Sequence, residues 1–290
     1  GAMHACGHDG HTAMLLGAAK YLSETRNFDG TAVLIFQPAE EGGGGGKAMV
    51  DDGLMDRWGI QEVYGMHNMP GMPEGQFAIR PGALLASSDE FEIIVTGKGG
   101  HAAAPHMAVD TTLVAAQTVV TLQSIVARNV DPIQRVVVTV GTFNTDSDAS
   151  NIIAQTVRMK GTVRTLDTEY RAQAEDWVRR VATSTAEAFG ASAEVTWSPG
   201  YPVTFNTETE TGHAIEAAQA VGVAVDENTS PIMPSEDFSY MLESRPGAFI
   251  FMGNGDTAGL HHEEYDFNDE AIPHGTSYWA RLVETALPAA

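Results

Sequence analysis

The segment at residues 3–11, MHACGHDGH, places the strongest constraint on how this chain can fold. It sets a thiol, Cys6, two residues before an imidazole, His8, among glycines and directly ahead of a helical pattern. Thiolate sulfur and neutral imidazole nitrogen are both good ligands for divalent metal ions such as zinc. A metal site needs more donors than this turn supplies, so we expect the fold to bring later parts of the chain to it.

The next part of the chain alternates between helical and strand patterns. Residues 31–37, TAVLIFQ, are a continuous apolar run, which predicts a buried parallel strand. The run leads into Glu40 and Glu41 and then into five glycines at residues 42–46. The predicted elements are helix 11–21, strand 31–37, helix 47–52 and strand 62–66, the last ending on His67. This alternation predicts an α/β domain with a mostly parallel sheet flanked by helices, with polar site residues just past the strand ends.

The middle of the chain has a different order of elements, strand-helix-strand-strand-helix-strand, which predicts an inserted ferredoxin-like α+β module. Its predicted elements are strand 90–97, helix 110–127, strands 135–143 and 155–165, helix 169–189 and strand 192–198. The last part returns to the α/β pattern, with helices 208–220, 235–243 and 277–287 and strand 247–252. The predicted domains are therefore an α/β domain in two parts, 1–87 and 202–290, and a satellite domain at 88–201.

Charge and cysteine content exclude several classes of function. The 290 residues carry 38 acidic and 16 basic side chains, a formal net charge of −22. Such a surface argues against nucleic-acid binding and disfavours anionic membranes, and no apolar run approaches the ~20 residues of a membrane helix. Cys6 is the one cysteine, so no internal disulfide is possible. We expect a cytoplasmic protein, and because the first residues resemble a tag remnant, we expect a further segment to precede them.

Six residues form a set that could carry hydrolytic chemistry. Two adjacent metal ions can activate a water and polarise a carbonyl, and five ligands, one of them bridging, would hold such a pair. A further carboxylate would take the proton of the water and deliver it to the leaving amine, and the Glu40-Glu41 pair offers one side chain for each task. The set comprises Cys6, His8, Glu40, Glu41, His67 and His261.

Each piece of this set also has a simpler interpretation. The glutamates could be solvated loop charges, the glycines could form only a flexible loop, and His67 could be structural. Cys6 could be an inert buried thiol or the nucleophile of a thiol hydrolase. A metal-stabilised binding protein without catalytic activity is a further alternative. The occurrence of all six residues at predicted strand-to-loop boundaries favours the hydrolytic site.

Several longer motifs resemble one known family. MHACGHDGHTAMLLGAA, FQPAEEGGGG, GMHNMP, GKGGHAAAPH and LHHEEYDFNDEA occur in the order found in bacterial and plant metal-dependent amidohydrolases. That family includes hippurate hydrolase, N-acyl-L-amino acid amidohydrolase and indole-acetyl-amino acid hydrolases. The resemblance implies an enzyme with two divalent ions (Zn, Mn, Co or Ni) that hydrolyses the amide bond of N-acyl amino acids, and an inserted satellite domain that forms a homodimer. A dipeptidase or carboxypeptidase of the same superfamily is the alternative.

The resemblance also implies roles for individual residues of the α/β domain. Glu40 matches the general base and acid, and Cys6 matches the bridging ligand. His261 is preferred over His262 because the family pattern has the ligand directly after Leu260. The implied metal ligands are Cys6, His8, Glu41, His67 and His261. The flanking residues His4 and His11 would orient these ligands, whereas Glu236 and Asp237 would either lie near the site or cap a helix.

In the satellite domain the resemblance implies three further site residues. His101 would reach the site of the neighbouring subunit and stabilise the tetrahedral oxyanion. Asn151 and Arg164 match positions that hold the carboxylate of the substrate's amino acid. Arg164 could instead be a surface strand residue paired with a carboxylate. Two departures stand out: Ala154 occupies a position that is usually proline, and relatives begin with a further N-terminal segment.

Overall fold

The computed structural model of the chain describes residues 2–289. The first part contains three helices and three strands. They are α1 His8–Thr25, α2 Gly45–Asp51, α3 Leu54–Arg57, β1 Val63–Met69, β2 Phe77–Ala78 and β3 Gly82–Leu85.

The middle part contains β4 Asp89–Thr96, β5 Gly100–His101, α4 Thr111–Ser124, β6 Val136–Thr145, β7 Ile152–Ile153, β8 Thr156–Thr165, α5 Thr168–Ala188 and β9 Ser192–Pro199. The last part contains β10 Thr204–Asn206, α6 Glu208–Val221, β11 Val225–Asp226, α7 Ser239–Ser244, β12 Gly247–Gly253 and α8 Ile272–Ala286. Two compact units result: residues 1–84, 204–231 and 237–290 form the first, and residues 85–203 and 232–236 form the second.

The first unit is built on a mixed four-stranded sheet in the order β1-β12-β2-β11. β1 and β12 run parallel, as do β2 and β11, whereas β12 and β2 run antiparallel. All seven residues of β12 are buried, which explains its continuous apolar sequence GAFIFMG. Helices α1, α6 and α8 pack with this sheet around Met14, Ile250 and Tyr278, so the predicted α/β class is confirmed.

The second unit is an antiparallel sheet in the order β6-β8-β4-β9, with α4 and α5 packed on it. The chain order β4-α4-β6-β8-α5-β9 and this sheet order are those of a ferredoxin-like sandwich, as predicted. Asp110 and Asp167 cap α4 and α5 by accepting hydrogen bonds from backbone N–H groups of the first turns. The short pair β5-β7 was not predicted, because two-residue strands leave no periodic pattern.

The predicted strand at residues 31–37 is not formed. These residues have no regular secondary structure, and the side chains of Leu34 and Phe36 are exposed. An apolar run becomes a buried strand only when a neighbouring strand accepts its backbone hydrogen bonds, and none within residues 2–289 pairs with it. The prediction also ended a strand at Met66, whereas β1 continues to Met69 and contains His67.

No helix within residues 2–289 combines the length and the apolar composition that crossing a membrane would require.

Candidate active site

The first unit brings together side chains from four distant segments. Two groups of side chains that could hold a metal ion share Cys6, namely Cys6 with His8 and His67, and Cys6 with Glu41 and His261. In each group one ligand atom per residue lies within 4.8 Å of the others. All five predicted ligands are therefore close together, and Cys6 is common to both groups.

Cys6 and His8 are held in a turn at the start of α1. Gly7 adopts a left-handed conformation with φ 79°, and the helix begins at His8 directly after it. A Cβ at this glycine would lie 2.3 Å from the Tyr265 hydroxyl and 2.6 Å from the Asn68 amide nitrogen, so both the conformation and the packing require glycine. The turn points the Cys6 sulfur toward the end of β1, where Sγ lies 3.4 Å from His67 Nε2.

The ring of His67 is oriented by the backbone of the next residue, Asn68. Its Nδ1 lies 2.7 Å from the carbonyl oxygen of Asn68, and because a carbonyl only accepts, Nδ1–H is the donor. In the neutral ring the lone pair is then on Nε2, the atom that faces Cys6. Burial lowers the pKa of His67 to about 4, so the ring is neutral near pH 7. Burial also lowers the pKa of His8.

The Glu40-Glu41 pair sits in a tight turn that the glycines allow. Ala39 has φ 54°, and its carbonyl accepts hydrogen bonds from the N–H groups of Gly43 and Gly45. A Cβ at Gly45 would lie 1.7 Å from the Pro38 carbonyl oxygen, so the glycine run shapes a defined turn that leads into α2. The prediction placed the start of this helix at Lys47, two residues later than the structure does.

The two glutamates face different neighbours. Glu41 Oε1 lies 3.1 Å from His261 Nε2, whereas Glu40 Oε2 lies 4.0 Å from His8 Nε2. Burial, together with the charges of Glu41 and Asp237, raises the pKa of Glu40 to about 7. A carboxyl group with such a pKa can both accept and donate a proton near neutrality.

The adjacent residues His261 and His262 have different surroundings. The backbone N–H of His261 donates to the Ala5 carbonyl at 2.7 Å, which joins this loop to the first turn of the chain. The ring of His261 lies beside Glu41, whereas Nδ1 of His262 accepts a hydrogen bond from the Glu264 backbone in a local turn. Of the two histidines, His261 is thus the one that lies with Cys6 and Glu41 in a group of side chains that could hold a metal ion.

Asp237 is buried and holds the glutamate turn in place. It accepts a hydrogen bond from the Gly46 backbone N–H at 2.7 Å and another from the Gln37 side-chain amide. Gln37 and Gly46 flank the two glutamates on either side, so Asp237 fixes both ends of their turn. From the sequence, Asp237 could either lie near the site or cap a helix. The contribution of Gln37 to the glutamate turn was not predicted.

The three predicted site residues of the second unit fall into two places. His101 pairs with Ile152 in β5-β7, and the Asn151 carbonyl accepts a hydrogen bond from Ala102, so His101 and Asn151 are neighbours. His101 Nδ1 accepts a hydrogen bond from the Ala103 N–H at 3.0 Å, so Nε2 is the ring nitrogen that carries a proton and can donate it in a hydrogen bond. Arg164 is near the far end of β8, where it pairs with Val137 and donates to Thr162 and Val163.

Comparison with known proteins identifies the family. Residues 1–285 match the protein family described as "Peptidase family M20/M25/M40". The chain belongs to this M20 family. It is similar to hippurate hydrolase from Campylobacter jejuni, with 42% identity over 97% of this chain and 73% of the relative. It is also similar to N-acetyl-L-cysteine deacetylase from Bacillus subtilis, with 42% identity over 94% of this chain and 65% of the relative.

Among solved structures the chain resembles the Bacillus subtilis YXEP protein, described as a dinuclear metal binding peptidase from the M20 family. The TM-score is 0.85 with 34% identity, covering 99% of this chain and 74% of that one. The M20 membership and these names assign the chain to hydrolytic enzymes that act on amide bonds. The chain spans between 65% and 73% of the length of the two curated relatives. These matches confirm the resemblance to metal-dependent amidohydrolases that the sequence motifs indicated.

Proposed function

We propose that this M20 protein hydrolyses the amide bond of N-acyl amino acids. The observation that carries the proposal is the sharing of Cys6 by two groups of metal-binding side chains, with Glu40 beside them. Hippurate and N-acetylcysteine, which the names of the two relatives contain, are both amides of an amino acid with a carboxylic acid. This support favours the N-acyl substrate class over dipeptides.

The side chains suit a pair of divalent ions. Sulfur, imidazole nitrogen and carboxylate oxygen are the donors that zinc, manganese, cobalt and nickel accept in proteins. His8 and His67 would hold one ion, Glu41 and His261 the other, and Cys6 both. When bound, such ions polarise the amide carbonyl and lower the pKa of a water molecule.

In this proposal Glu40 carries out both proton transfers. Its carboxylate accepts the proton of the attacking water and then donates it to the nitrogen of the leaving amino acid. Burial and the neighbouring carboxylates keep this group from being as acidic as a solvated glutamate, so it can return the proton. Asp237 keeps the turn in place by binding Gly46 and Gln37.

The expected metal content gives the first test. After reconstitution with manganese, zinc or cobalt, up to two ions should bind, and anomalous scattering should place them within ~2.0–2.4 Å of the five proposed ligands. The same preparation should release the free amino acid from hippurate and from N-acetyl amino acids faster than from dipeptides. Ions bound at other side chains would contradict the ligand assignment. Faster turnover of dipeptides would favour the peptidase alternative.

A homodimer through the second unit is part of the proposal. Asn151 precedes Thr156, the first residue of β8. Arg164 lies eight residues after Thr156 along the same strand, and these eight residues span ~27 Å. If both residues hold the same substrate carboxylate, they therefore come from two copies of the chain. β6 is an outer strand of its sheet, and its side chains Val137 and Phe143 are exposed, as are Leu113 and Val120 of α4. Pairing about a two-fold axis would cover such an edge.

Complementation tests this arrangement together with the role of His101. Chains carrying His101→Ala and chains carrying Glu40→Gln, each inactive alone, are mixed under conditions of subunit exchange. His101 would present its Nε2–H to the oxyanion in the partner's site. Each mixed dimer would therefore contain one intact site, and it should regain up to half of the activity of a wild-type dimer. Two Glu40→Gln preparations mixed in the same way serve as the control. No regain despite exchange shown by mass spectrometry would contradict a role across the dimer.

A further inference from the structure

Asn68 is a fully buried polar residue whose hydrogen bonds connect three parts of the candidate site. It follows the proposed ligand His67 in β1, and its side chain is 0% exposed. The side-chain amide nitrogen lies 2.7 Å from the Cys6 carbonyl oxygen and 3.1 Å from His11 Nε2. The side-chain oxygen accepts a hydrogen bond from the Tyr265 hydroxyl at 2.9 Å. The amide thus forms hydrogen bonds through both its nitrogen and its oxygen.

The partners fix the orientation of this amide. The Cys6 carbonyl can only accept, so the nitrogen must face it, and the oxygen is then the atom that meets the Tyr265 hydroxyl. The backbone N–H of Asn68 also donates to His11 Nε2, at 3.0 Å. A backbone N–H can only donate, so His11 Nε2 is the acceptor and its lone pair is already engaged. His11 is therefore a support for Asn68 and not a metal ligand.

We propose that Asn68 is a positioning residue that sets the separation of Cys6 and His67. This inference rests on the proposed function, because it assigns to Asn68 the spacing of two proposed metal ligands. The backbone carbonyl of Asn68 orients His67 through Nδ1, and its side chain holds the carbonyl of Cys6. One residue thereby links the two side chains whose Sγ and Nε2 atoms lie 3.4 Å apart.

The packing leaves little freedom for another side chain. Gly7 fits closely against the Asn68 amide and the Tyr265 hydroxyl. An aspartate at position 68 keeps the acceptor for Tyr265 but turns a carboxylate oxygen toward the Cys6 carbonyl, which repels it. An alanine removes the link and leaves the turn at Cys6 free to move. Both changes keep the backbone hydrogen bond that orients His67, so they isolate the contribution of the side chain.

The test uses cobalt as a spectroscopic probe of the site. Bound cobalt(II) shows a near-ultraviolet charge-transfer band when a thiolate is a ligand, and its visible bands report the coordination geometry. We expect Asn68→Ala and Asn68→Asp to bind cobalt roughly 10–100-fold more weakly and with a reduced thiolate band. Tyr265→Phe removes only the hydroxyl that orients the amide, so it should lower the cobalt affinity and the thiolate band by a smaller amount. This variant keeps the test possible if the Asn68 variants fold poorly.

Asn206→Ala is the matched control. Asn206 is also a buried asparagine of the first unit, but its side chain binds the backbones of Arg80 and Phe249. It should lower thermal stability without changing the cobalt spectrum. Wild-type affinity and spectrum in folded Asn68 and Tyr265 variants would overturn the inference. Absence of the thiolate band in cobalt-loaded wild-type protein would instead overturn the assignment of Cys6 as a ligand, and the inference with it.

Discussion

Replacing Glu40 by glutamine should lower the rate of amide hydrolysis about 100–10,000-fold, the usual effect of losing a general base. Glutamine keeps the size of the side chain but cannot accept the proton of water or return it to the leaving amine. Bound metal should remain, because Glu40 is not among the five proposed ligands. Steady-state kinetics and metal analysis on the same preparation measure both effects.

Glu41→Gln is the matched variant, since it makes the same chemical change one residue later. Glu41 Oε1 lies 3.1 Å from His261 Nε2, so its loss should reduce or displace bound metal as well as activity. If both variants retained metal and only Glu41→Gln were inactive, the roles of the two glutamates would have to be exchanged.

Replacing Asp89 by alanine should destabilise the second unit by about 3–5 kcal/mol, the usual result of breaking a buried ion pair. Asp89 is 1% exposed and accepts two hydrogen bonds at 2.9 Å from Arg171 and another from the Gly200 backbone. These contacts join the start of β4, helix α5 and the end of β9. Removal of the carboxylate takes two charge-assisted hydrogen bonds from the mostly buried Arg171 guanidinium.

Urea unfolding followed by tryptophan fluorescence reports this loss, because Trp177 belongs to the core of the second unit and Trp197 packs against that core. The control is Glu92→Ala on the same strand, which removes an ion pair with the exposed Arg158 and should leave the unfolding midpoint almost unchanged. Equal midpoints for Asp89→Ala and Glu92→Ala would show that burial of the Asp89 pair does not contribute to stability.

The second unit was predicted with greater success than the first because its patterns are local. Long strands such as β4 and β8 pair over their full length, and α5 has a strongly amphipathic sequence with its own cap at Asp167. Residues 31–37 have an equally clear apolar pattern but form no strand. A strand depends on hydrogen bonds to a second segment, which a pattern in one segment does not report.

The candidate site likewise contains residues that the sequence predicted and one that it did not. The motifs pointed to Cys6, His8, Glu41, His67 and His261 as donors and to Glu40 as the base, and the structure brings all six side chains together. Asn68 was overlooked although it stands next to His67 in the GMHNMP motif. Its importance lies in hydrogen bonds to residues 57, 62 and 197 positions away, which sequence patterns do not reveal.

By itself the sequence determined the family, the fold classes of the two units and the chemical types of the donors, because each depends on residue identity and local periodicity. The tertiary structure decided which donors meet: Cys6 and His67 are 61 residues apart, and Glu41 and His261 are 220 apart. It also decided that His67 turns Nε2 toward Cys6. These features follow from packing distances and hydrogen-bond directions between distant segments, which exist only once the chain has folded.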